Sequence, residues 1–147
     1  MRAMRWWDIP AVMALEEELF AEDSWSEGMF WSELAEHDTR RYLVEDDDAG
    51  DVCAYAGLCA YAPHESYVQT IAVSPRVQGR GIGTGLLREL IDESQRRGCP
   101  HLDLEVRADN HTAIRLYERH GFSRIGVRRG YYQPSNTDAL VMRREAA

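Results

Sequence analysis

Four glycines at alternate positions, Gly79, Gly81, Gly83 and Gly85, stand between a strand-like run ending at Val73 and a helix-like run opening at Ile82. Glycine lets a backbone approach a ligand closely, and the free N–H groups at a helix start favour an anion, so this spacing suits a pyrophosphate. Arg76 and Arg80 are placed to add positive charge. A purely structural loop needing positive φ angles fits the same glycines. The dinucleotide fingerprint G-x-G-x-x-G does not fit, because Thr84 and Leu86 stand where its third glycine would fall, and five residues separate Val73 from Gly79. A second cluster lies in residues 102–107, where Leu102, Leu104 and Val106 alternate with Asp103, Glu105 and Arg107. A strand there has one apolar and one charged face. Parallel core strands are ordinarily apolar on both faces, so the charged face predicts either a wet cleft or an exposed sheet edge.

Stepping from these residues to their supports, the spacing predicts a helix over 8–20 with Asp8 as its cap, and a short one after Ser26 that packs Met29, Phe30 and Leu34. Strands are predicted over 41–44, 52–61 and 67–73, most simply as an antiparallel meander. A helix over 82–97 closes at Gly98, a strand follows over 101–107, and a helix over 110–119 closes at Gly121. Strands over 122–130 and 139–142 complete the chain. A length of 147 residues suits one domain spanning 1–147.

Composition removes several chemistries. All 17 basic residues are arginine, which excludes Schiff-base lysines and the lysine of a Walker A loop. Cys53, Cys59 and Cys99 show no CxxC spacing, and His37, His64, His101, His111 and His120 show no HExxH-like spacing, so no metal is expected. Residues 1–72 hold 16 acids against 4 arginines and residues 73–147 hold 9 against 13, so the halves carry −12 and +4. The basic half suits an anionic ligand and the acidic half a cationic one, beside the ordinary role of solvated surface charge. A net charge of −8 argues against general nucleic-acid binding. No apolar stretch has signal-peptide or membrane-spanning length, so a soluble, cytoplasmic protein is expected.

The run Gln78-Gly79-Arg80-Gly81-Ile82-Gly83 resembles the Q/R-x-x-G-x-G/A signature of the GNAT superfamily of acetyl-coenzyme A-dependent N-acetyltransferases, and the resemblance continues through residues 104–110, 113–118 and Gly121-Phe122. More narrowly, Trp25-Ser26-Glu27, residues 104–107 and residues 128–132 are similar to the bacterial ribosomal-protein-alanine N-acetyltransferases. Gly130 and Gln133 depart from that pattern, which often has Asn and Pro there; both fall in the presumed acceptor loop.

The resemblance implies an α/β fold of the GNAT type, with a mixed central sheet splayed at the cofactor site and helices on both faces. It implies acetyl-CoA as co-substrate, its pantetheine arm beside Ile71, Ala72 and Val73. The pyrophosphate would lie on Gln78, Gly79, Arg80, Gly81, Ile82, Gly83 and Thr84, with Asn110 also contacting the cofactor. Glu105 takes the place of a general base that frees the attacking amine, and Tyr117 that of a general acid for the departing thiolate. Without the resemblance, Tyr117 reads as core packing. Trp25, Ser26, Tyr131 and Tyr132 are placed to shape the acceptor site, each with a structural reading beside it. No Cys-His pair is legible, so direct transfer in a ternary complex is expected. The implied acceptor is a protein N-terminus, the alanine of a small-subunit ribosomal protein first. Chemistry favours such an acceptor, because an α-amine has a pKa of about 7.7–8.0 against about 10.4 for lysine. Acetylation of a small amine or a lysine, and a silent acyl-CoA-binding regulator, remain open; binding alone would need neither Glu105 nor Tyr117.

Overall fold

The computed structural model describes residues 1–146. Its strands are β1 (Arg2–Ala3), β2 (Arg40–Asp46), β3 (Val52–Tyr61), β4 (Glu65–Val73), β5 (His101–Arg107), β6 (Ser123–Tyr132) and β7 (Thr137–Glu145). Among the described residues these form one seven-stranded sheet in the order β1-β2-β3-β4-β5-β7-β6. The helices are α1 (Ile9–Leu19), α2 (Glu27–Ala35), α3 (Ile82–Arg96) and α4 (His111–Arg119). β3 and β5 have the predicted bounds, and β2 to β4 form the predicted meander. β1 was not predicted, since two residues leave no period to read. β5 lies between β4 and β7, which overturns the exposed-edge alternative for its charged face.

The alternation of strand side chains divides the core between the two faces of the sheet. Ala54, Ala56 and Leu58 of β3 and Leu102, Leu104 and Val106 of β5 pack with α3 and α4 through Leu86, Leu90, Ile114 and Tyr117. On the other face, Tyr42, Val44, Tyr55 and Ala72 pack with Ile9, Val12 and Leu15 of α1 and Phe30 of α2. α3 ends as predicted, with Gly98 at φ +79. Asp8 does not cap α1: its carboxylate receives both terminal guanidinium nitrogens of Arg2, each at 2.9 Å, and the backbone N–H of Arg5 at 2.8 Å. Ser26 does cap α2, its hydroxyl oxygen accepting the Met29 N–H at 3.2 Å. No helix of the described residues is long and apolar enough to cross a membrane.

The sheet comes apart in the middle. β4 and β5 run parallel and pair only at Ser66 with Leu102 and Tyr67 with Asp103, while β5 stays paired with β7 along its whole length. Just beyond the last shared pair, the register between β3 and β4 steps from Leu58–Val68 to Gly57–Thr70, leaving Gln69 as the extra residue of a bulge. A bulge bends its own strand and sharpens the local twist, which turns β4 away from β5. Glu33 of α2 holds this bend. Its carboxylate accepts the Gln69 side-chain amide at 3.1 Å, the Tyr42 hydroxyl at 2.6 Å and Arg40 Nε at 3.0 Å. The Tyr42 ring lies directly over Gly57, where a Cβ would come within 2.2 Å of it.

Two substitutions test these supports. Gly57→Ala forces the Tyr42 ring off the bulge and is expected to cost about 1–3 kcal/mol of stability. Urea denaturation reads it as a lower midpoint at unchanged slope. Ser26→Ala removes the cap of α2 and is expected to cost about 1 kcal/mol by the same measurement.

Candidate active site

Where β4 and β5 part, a cleft of about 930 Å³ opens. The open edge of β4 contributes Val68, Thr70 and Ile71, and β5 contributes Glu105 and Arg107. Because the split exposes both faces of the sheet, the cleft is also reached by Tyr117 from α4 and by Trp25 and Met29 from the segment around the start of α2. Tyr131 and Tyr132 of β6 close the remaining side.

Glu105 sits on the charged face of β5, with its side chain 29% exposed. One cation touches it: Arg128 of β6, whose Nε stands 3.2 Å from Oε1. Burial first, and then the nearby Glu105 charge, raise the Tyr131 phenol above its ordinary value. Burial and then the same carboxylate push Tyr132 up to about 12. Asp103, two residues earlier, is bound on both oxygens by Arg143 at 2.8 and 2.9 Å. Arg107 turns to Asp109, Ser135 and Thr137 and lies 5.1 Å over the Tyr132 ring.

Tyr117 is buried at 6% exposure, its ring against Phe122 with centroids 5.8 Å apart. Burial raises its phenol far above the ordinary value, so the proton stays on the oxygen. The phenol at the cleft wall is therefore a proton donor and not a phenolate.

The glycine loop leads into α3 beside the open edge of β4. Gly79 and Gly81 hold left-handed φ angles of +81 and +80, and a Cβ on either would meet nothing within 4 Å. The open space lies beside amides that helix geometry leaves free at an N-terminus. The backbone N–H groups of Gly79, Gly81, Ile82, Gly83 and Thr84 make no hydrogen bond among the described residues. The loop and the unpaired β4 edge thus fit an extended ligand that ends in a pyrophosphate. Gln78 serves the loop itself, its side-chain amide donating to the Val73 carbonyl at 3.2 Å. Arg76 is likewise tied down, reaching Asp47 and the Val52 carbonyl instead of the loop's open face.

The other sequence candidates divide. Trp25, Tyr131, Tyr132 and Asn110 line the cleft. Asn110 also caps α4, its side-chain oxygen accepting the Ala113 N–H at 3.2 Å. Ser26 does not line the cleft, because its hydroxyl is spent on α2. Cys53, Cys59 and Cys99 are buried and free, and none borders the cleft. Among the described residues no His, Cys, Asp or Glu group is arranged for a metal ion. Gly130 holds φ +60, in the left-handed region that favours glycine.

Sequence reasoning missed Arg128 and Glu16. Arg128 opens a stretch that carries the resemblance, but its meeting with Glu105 depends on the register through β7, in which Arg128 and Arg107 both oppose Ala139. Glu16 reads as one of a solvated acidic triplet, yet it is 2% exposed. Its carboxylate accepts the Tyr55 hydroxyl and the Trp25 N–H, fixing the loop that carries Trp25, and burial raises its pKa.

Residues 4–122 match the model of the Acetyltransferase (GNAT) family. The chain is 43% identical over 136 residues to the N-alpha-acetyltransferase RimI of Mycobacterium tuberculosis, covering 90% of this chain and 83% of that one. It is 38% identical over 137 residues to the ribosomal protein bS18-alanine N-acetyltransferase of Escherichia coli K12, covering 92% and 89%. The crystal structure of the ribosomal-protein-S18-alanine N-acetyltransferase from Escherichia coli superimposes with a TM-score of 0.87 at 34% identity, over 98% of this chain and 91% of that one. With a split sheet, a free-amide loop and these relatives in agreement, the chain belongs to the acetyltransferase (GNAT) family, has that family's fold and is an N-acetyltransferase.

Proposed function

We propose that this chain, as one domain spanning its length, acetylates the α-amino group of a protein N-terminus in the cytoplasm, with an N-terminal alanine of a small-subunit ribosomal protein as first acceptor. The observation that supports it most is a single cleft bordered by a carboxylate at Glu105 and a protonated phenol at Tyr117, beside an open strand edge. The names of relatives 38–43% identical point to the same acceptor class.

The family uses acetyl-CoA, which when bound supplies a thioester as the acetyl donor. The backbone edge from Val68 to Val73 orients its arm, and the amides of 79–84 take its pyrophosphate. Glu105, directly or through one water, removes the proton that an ammonium must lose before it attacks. Tyr117 delivers its proton to the departing thiolate. An α-amine needs far less help than lysine to lose that proton near neutrality, which suits a half-exposed carboxylate as base. A cysteine-linked route has no support, since burial raises the Cys53 and Cys59 thiols and no cysteine reaches the cleft.

Mass spectrometry after incubation with acetyl-CoA separates the acceptor classes. A peptide beginning with alanine is expected to gain one acetyl group, and a matched peptide with a blocked N-terminus and internal lysines none. Acetylation of the lysine peptide alone would overturn the N-terminal reading. In the same assay Glu105→Gln is expected to lower kcat/KM by about 10²–10⁴-fold while coenzyme A still binds in calorimetry. Tyr117→Phe is expected to keep its melting temperature and lose kcat, and an unchanged kcat would remove the phenol from the mechanism.

A further inference from the structure

The two carboxylates on the charged face of β5 are held in opposite ways. Asp103 is gripped on both oxygens by in-line bonds from Arg143 and is 7% exposed, which is the geometry of a permanent strut. Glu105 has a single ion-pair contact to Arg128, at 3.2 Å from Nε, and the guanidinium keeps more than half its side-chain surface, 57%, in solvent. That guanidinium rests 5.3 Å above the Tyr131 ring, within the wall of the cleft where an acceptor must come. A planar cation lying on an aromatic face beside a carboxylate occupies the environment that an incoming ammonium requires.

We propose that Arg128 occupies the acceptor's ammonium subsite at Glu105 in the free enzyme and is displaced when a cationic N-terminus binds. The proposal rests on the N-terminal acceptor reading above. As an occupant of that subsite, Arg128 sets a threshold that only a charged acceptor group crosses. Its exposed, single-contact pair is of the weak class, worth about 0.2–1 kcal/mol, so displacement is easy but measurable. The Tyr131 ring remains in place to receive the replacing cation.

Steady-state kinetics with an alanine-initiated peptide test it. Arg128→Gln removes the competing cation, and the acceptor KM is expected to fall by up to about fivefold, raising kcat/KM through KM while the KM for acetyl-CoA stays put. Arg128→Lys restores a cation and is expected to return the acceptor KM most of the way to the parent value. A peptide of the same sequence with an N-terminal hydroxyl in place of the amine serves as an uncharged competitive inhibitor. Its inhibition constant is expected to be the same for parent and Arg128→Gln enzymes. A higher acceptor KM in Arg128→Gln, or an equal change for the hydroxyl peptide, would overturn the proposal by showing that Arg128 binds substrate or merely shapes the wall. Turnover in the parent enzyme with equal KM values in both would overturn this proposal alone. Absence of acetylation in the parent enzyme would overturn the acceptor reading and this proposal with it.

Discussion

The bend in β4 at Gln69 is the constraint on which the rest of the molecule depends. A parallel pair of strands normally continues its hydrogen bonds until one strand ends, yet β4 and β5 share two register positions and then diverge. The bulge explains where they diverge, and three hydrogen bonds to Glu33 from Arg40, Tyr42 and Gln69 explain why the bend persists. Gly57 is part of the same device: it opposes Thr70 at the bulge, and its missing side chain is where the Tyr42 ring lies. An acid on a helix thus decides where a sheet opens, and the opening leaves an unpaired strand edge beside a cleft.

The split also resolves a geometric problem in the chemistry. Glu105 belongs to the α1 and α2 face of the sheet and Tyr117 to the α3 and α4 face. In a continuous sheet these two groups would be separated by a layer of backbone. With β4 drawn aside, they border one cavity, the carboxylate in contact with water and the phenol buried. Those environments suit opposite duties, because solvent keeps a base accessible and burial keeps an acid protonated.

Local patterns made much of this legible. The glycine loop read as either a phosphate cradle or a structural turn, residues 102–107 as a strand with one charged face, and the apolar stripe as a helix; the strand and α3 are where that reading put them. What stayed hidden was set by register and burial. Gln69 carries no sign that it is an extra residue, because bulging depends on how β3 and β4 pair. Glu16 sits in a run of three acids, and only the packing of α1 shows which of them points at Tyr55. Ser26 and Asp8 failed in complementary directions. Each is a good cap by type, and the structure spends Ser26 on its helix and Asp8 on Arg2 and Arg5, so residue type alone did not decide.

The two halves created by the split divide the labour. Strands β1 to β4 with α3 form one wall of the cleft, while the β6–β7 hairpin places Arg128, Tyr131 and Tyr132 on the other. The hairpin stabilises itself: the Gly130 N–H donates to Asp138 at 2.8 Å, and the Gln133 side-chain amide donates to the Gly130 carbonyl at 2.7 Å and to Asn136 at 3.1 Å. These bonds lie within the hairpin itself and involve no residue of β4 or the glycine loop. β6 is an edge strand paired only to β7, so its side chains can be exchanged at little cost to the core. Under the proposed reading, the cleft wall on this hairpin can change while the bulge, the glycine loop, Glu105 and Tyr117 stay where the sheet and its helices hold them.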